Sequence, residues 1–76
     1  MGRESLSAAF AKVLREERLA KGLSQESLAH KARLHRTYVG LIERGLRNPS
    51  LDAGHALARA LGTSLSQLIR SAEQAL

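Results

Sequence analysis

Arg36, Thr37, Gly40 and Arg44 fall together on one side of a helical wheel turned about 100° per residue, while Tyr38, Val39 and Ile42 fall on the other. The chemistry of such a stripe is that of the guanidinium fork. An arginine can take guanine O6 and N7 together, and a threonine can meet a phosphate or a thymine methyl. A helix with one packing side and one cationic side fits the major groove of B-form DNA. Gly40 adds to this reading, because a glycine in mid-helix costs about 0.5 to 1 kcal/mol relative to alanine and suits a backbone that approaches a surface closely. Taken alone, the stripe fits a solvated face equally well.

Two flanking features favour the binding face. Ser24 and Gln25 stand at the start of another helical stretch, where unpaired backbone N–H groups and the positive end of the dipole can receive a phosphate. Arg47 and Asn48 follow the striped segment and also suit phosphate oxygens. Donors of the phosphate type thus come from three separate stretches around one groove-sized helix.

Other chemistries find little support. His30, His35 and His55 share no H-E-x-x-H or comparable spacing, so neither a metal nor another cofactor is expected. Asp52 and His55 are neighbours of the kind that pair on a helix surface. No nucleophile elbow, Walker or dinucleotide fingerprint occurs, and no enzyme is expected. Single-strand binders that stack bases need aromatic platforms, whereas this chain has one Phe, one Tyr and no Trp. Duplex DNA is the preferred partner.

The elements that position these residues follow from local signals. A helical composition runs from Ser7 to about Lys21 and stops at Gly22, leaving residues 1–6 as a flexible arm ahead of one domain over 7–76. Ser24 caps a second helix to about Ala32, and a third spans about His35 to Arg44, closed by Gly45. Ser50 caps a fourth, which ends before Gly62 with Asp52 in its first turn and Arg59 near its end. Ser64 and Gln67 form a capping box that opens a fifth, carrying Leu65, Leu68, Ile69 and Ala72 at helical spacing. The expected fold is all-α with five short helices.

Bulk properties agree. Seventy-six residues, 43% of them hydrophobic and 25% charged, allow one globular domain. Fourteen Leu and twelve Ala against one Pro favour helix over sheet. Twelve Lys and Arg, nine of them Arg, against seven Asp and Glu give a net charge of +5, a bias towards polyanions. Without cysteine there is no disulfide or thiolate site, and without a long apolar run neither a membrane span nor a signal peptide is expected. The sequence reads as a soluble cytoplasmic protein whose stability rests on helix packing or on a second subunit.

The string from Arg18 through Lys21, Gly22 and Gln25, then Leu28-Ala29, Tyr38 to Gly45 and Asn48-Pro49, resembles the Cro/cI-type, or Xre-family, helix-turn-helix regulators. The stretch from Arg36 to Arg44 with Arg47-Asn48 is similar to the controller proteins of restriction-modification systems. The resemblance spans roughly Phe10 to Ile69 and implies a lambda-repressor-like five-helix DNA-binding domain, with the helix-turn-helix in the second and third helices. It further implies that Gln25 and Tyr38 touch phosphates, that Arg36, Thr37 and Arg44 face the groove, and that Arg18 and Glu43 form a partly buried structural ion pair. The candidate contact set is then Ser24, Gln25, His35, Arg36, Thr37, Tyr38, Gly40, Arg44, Arg47 and Asn48. Glu17 and Gly54 depart from the family, which usually has apolar side chains there, and His35 stands where Asp or Ser often caps.

Leu65, Leu68, Ile69, Ala72 and Leu76 offer more apolar surface than one short helix usually buries, and with the resemblance they imply a homodimer interface. The expected function is transcriptional regulation from a palindromic or near-palindromic operator, with the protein's own concentration as input and Glu26 as a candidate contact to RNA polymerase. The alternative is an antitoxin-type interaction module whose DNA binding is secondary.

Overall fold

The computed structural model describes residues 5–76, which form five helices and, among the described residues, no strand. These are α1 (Leu6–Ala20), α2 (Gln25–Ala32), α3 (Arg36–Glu43), α4 (Leu51–Ala60) and α5 (Leu65–Gln74). Four of the five open in the same way. Ser5, Ser24, Ser50 and Ser64 each turn a hydroxyl back to accept the backbone N–H three residues on, at 3.0 to 3.1 Å. A serine in extended conformation there satisfies a donor that the first turn would otherwise leave unpaired. Ser5 shifts the start of α1 ahead of the expected Ser7, so Ser5 caps the helix and Leu6 begins it; residues 1–4 of the expected arm lie outside the described residues.

The third helix is the exception. His35 takes the extended cap conformation without a side-chain cap bond. At its other end Gly45 adopts φ +73, where a side chain would be strained, and its N–H returns to the carbonyl of Ile42 at 3.0 Å.

α1 packs on α5 and α3, α2 packs on α3 and α4, and α4 closes against α5. Leu14, Leu28, Val39, Ile42 and Leu57 lie fully buried at the centre. Gly54 fits here for a steric reason: a Cβ would come within 3.1 Å of Leu65 Cδ1, so the missing side chain is what admits Leu65 between α4 and α5. No helix among the described residues is long and apolar enough to cross a membrane.

The expected interface on α5 needs correction. Leu68 and Ala72 are buried in the core of the single chain, 2% and 0% exposed, where α5 packs on α1 and α4. They are intramolecular packing residues. Leu65 and Ile69 are half-buried at the rim of the core, and only Leu76 of the expected five is exposed.

Candidate nucleic-acid interface

α3 divides as its sequence pattern predicts. Val39 and Ile42 are buried, while Arg36, Thr37 and Arg44 are exposed and Gly40 is half-buried. The outward residues do not stand on a convex rod; they line two hollows, one on either side of the helix. The first is an open cleft between α2 and α3 formed by Gln25, Glu26, Arg36, Thr37, Gly40 and Arg44. The second, between the α2–α3 turn and the loop after α3, is lined by Arg33, His35, Thr37, Tyr38, Leu41 and Arg47 among others. Thr37 belongs to both.

The angle between α2 and α3 is held from below by a buried fork. Arg18 on α1 donates from Nε to Glu43 Oε2 at 2.7 Å, from Nη2 to Glu43 Oε1 at 3.0 Å and from Nη1 to the carbonyl of Leu23 at 2.8 Å. The two side chains are 9% and 2% exposed, so the pair is desolvated, and each of the three guanidinium nitrogens has a partner. The hydrogen bond to Glu43 raises Arg18 still further above the usual arginine value, burial opposes this, and the carboxylate's charge adds to it. A raised cation contributes stability in full below its unfolded value and loses it only as the pH climbs through the folded one. This contribution is therefore constant across neutral and moderately alkaline pH.

Glu43 Oε1 also accepts from Gln25 Nε2 at 3.0 Å. The Gln25 side chain, expected simply as a phosphate donor, is thus oriented from within, with its Oε1 over Gly40, where a Cβ would lie 3.4 Å away. Ser24 differs more from expectation. Its hydroxyl accepts from the Ser27 N–H and donates to Ser27 Oγ, which places Ser24 among the residues that build α2 rather than among the donors offered outward.

Around the second hollow, Tyr38 is half-buried and its hydroxyl accepts the backbone N–H of Ser50 at 3.2 Å, tying α3 to the start of α4. That leaves the phenolic hydrogen to donate outward. The Arg47 guanidinium lies over the Tyr38 ring, 5.5 Å from its centre, which steadies a loop cation beside the tyrosine. Asn48 is exposed on the same loop.

Two charged residues at this surface have no place in the contact set read from the sequence. Arg33 caps α2 in left-handed conformation at φ +60 and joins the second hollow. Glu26 lines the first cleft, where its Oε1 accepts from Arg36 Nη1 at 3.4 Å. Adjacency to Gln25 was the available signal for Glu26; nothing in the residue type announces the backbone of Arg33.

Two short helices joined by a three-residue turn, the second with a cationic outer face, form a helix-turn-helix. The chain belongs to the helix-turn-helix family of transcription regulators, whose profile matches residues 14–68. The control protein C.BamHI of Bacillus amyloliquefaciens is 46% identical over 61 residues, covering 79% of this chain and 75% of that protein. The restriction-modification controller protein C.AhdI of Aeromonas hydrophila superposes with a TM-score of 0.78 at 51% identity, over 80% of this chain and 92% of that one. The clp gene regulator ClgR of Corynebacterium glutamicum gives a TM-score of 0.91 at 27% identity, covering 97% of this chain and 79% of that one. The resemblance to restriction-modification controllers read from the sequence thus holds.

Proposed function

We propose that this protein is a sequence-specific regulator that binds duplex DNA as a homodimer on a palindromic or near-palindromic operator and controls the expression of a restriction-modification operon. The observation that carries the reading is the division of α3, whose Val39 and Ile42 are sealed in the core while Arg36, Thr37, Gly40 and Arg44 line an open cleft with Gln25. An arginine held on such a face meets base edges, and the flanking donors meet the backbone. The controller assignment draws on the similarity to C.BamHI and C.AhdI.

A second copy is supported by apolar surface that the single chain leaves outside. Leu51 is 82% exposed on the first turn of α4, one turn from Gly54, where α4 meets Leu65 of α5. Leu65 and Ile69 follow at i,i+4 spacing, and Leu76 lies seven residues further on. A two-fold axis along this side would set the two copies of α3 in successive major grooves, about 34 Å apart.

Selection of bound sequences from a random duplex pool tests the reading. A two-fold symmetric consensus is the expected result. Arg36→Ala should then relax preference at one base pair per half-site at a cost of about 1 to 3 kcal/mol, while Gln25→Ala should weaken all sequences alike. Recovery of no consensus, or an unchanged consensus with Arg36→Ala, overturns it.

A further inference from the structure

Glu26 is the one acidic residue among those lining the cleft between α2 and α3. A carboxylate there is out of place electrostatically, since the cleft faces a polyanion in the function proposed above. Its place in the first turn of α2 favours the helix dipole, but the pair it makes with Arg36 adds little to the fold, because the two side chains are 73% and 70% exposed and an ion pair in water is weak. The pair nevertheless sets the carboxylate beside the reading arginine, Glu26 Oε1 accepting from Arg36 Nη1 at 3.4 Å across ten residues of sequence.

We propose, resting on the duplex-reading function, that Glu26 is a specificity-determining residue: it restrains Arg36 from non-cognate phosphates and turns the remaining N–H groups towards a guanine edge. The guanidinium carries five N–H donors in a fixed fork, so engagement of Nη1 leaves enough of them to meet guanine O6 and N7 side by side. On a cognate base pair Arg36 stays between the carboxylate and the base, and Glu26 keeps its counter-charge. On a non-cognate sequence the strongest acceptors within reach are phosphates. An Arg36 drawn to one of them abandons Glu26, and the bare carboxylate then faces the DNA backbone without compensation. Glu26 therefore weakens binding to every sequence except the one on which Arg36 remains beside it, a discrimination built from repulsion. It acts on DNA choice rather than as a protein contact.

The test compares two duplexes, one recovered from the random pool and one scrambled to the same length and composition, by fluorescence anisotropy at fixed salt. Glu26→Gln should raise affinity for the scrambled duplex about five-fold while changing that for the selected duplex less than about two-fold, so that the ratio between them falls. Glu16→Gln removes the same charge from an exposed position on α1 and should leave the ratio unchanged. In an Arg36→Ala background, Glu26→Gln should no longer alter the ratio. Equal gains on both duplexes, matching those of Glu16→Gln, would overturn the proposal, because Glu26 would then be only a general charge. An unaltered ratio with failed transcriptional activation would overturn it in favour of a polymerase contact. If the unaltered protein binds the two duplexes equally, the duplex-reading function itself fails, and the proposal with it.

Discussion

Gln25 and Glu43 are joined beneath the cleft, Nε2 to Oε1 at 3.0 Å, so that the first residue of α2 hangs from the carboxylate that also accepts from Arg18. Stability and DNA contact therefore share one anchor. Glu43→Ala strands the Arg18 guanidinium in a desolvated site and should cost about 3 to 5 kcal/mol, with Arg18→Met in the same range. For a domain of this size that corresponds to a fall in melting temperature of more than about 12 °C, readable by circular dichroism. Below its transition Glu43→Ala should also bind all duplexes more weakly with no change of preference, since what it loses is the set of the Gln25 amide. A binding defect confined to particular sequences would contradict this.

Arg33 separates the two properties. Its left-handed backbone, φ +60 and ψ +43, costs a side-chain-bearing residue about 1 to 2 kcal/mol. Arg33→Gly should accordingly stabilise the protein by up to about 1 kcal/mol, after glycine's own entropic loss is counted. The same substitution removes a cation from the hollow beside His35, Tyr38 and Arg47. DNA affinity should fall uniformly, and the slope of log K against log salt should drop by about 0.9 for the one lost phosphate contact. A more stable variant with an unchanged salt slope would place Arg33 outside the interface.

Helix number, cap residues and the two sides of α3 were legible because each is written in local sequence: a serine three residues before its N–H partner, a glycine past a helix end, apolar residues at 3.6 spacing. Ser5 went unread because nothing periodic precedes α1. The Arg36–Glu26 and Gln25–Glu43 links were out of reach for a different reason, since both depend on the angle between α2 and α3, which no single helix encodes. Leu68 and Ala72 mark a third kind of limit. An apolar stripe states that a face is covered but not by what, and on α5 the covering elements are α1 and α4 of the same chain.

That correction sets the terms for testing the second subunit. A change at Leu68 cannot report on dimerisation: Leu68→Ala should cost about 2 to 5 kcal/mol through a cavity inside one chain, and the loss should not depend on protein concentration. Exposed Leu51 and Leu76, and the half-buried flank of Ile69, are the informative positions. Leu51→Glu or Leu76→Glu should leave the helical spectrum intact, shift sedimentation towards the monomer and reduce operator affinity. Mass action adds an independent check, because a subunit stabilised by its twin melts at a temperature that rises with concentration, and in these variants that rise should disappear. If both variants sediment and melt as the unaltered protein does, the two-fold contact must lie elsewhere on the molecule than along α4 and α5.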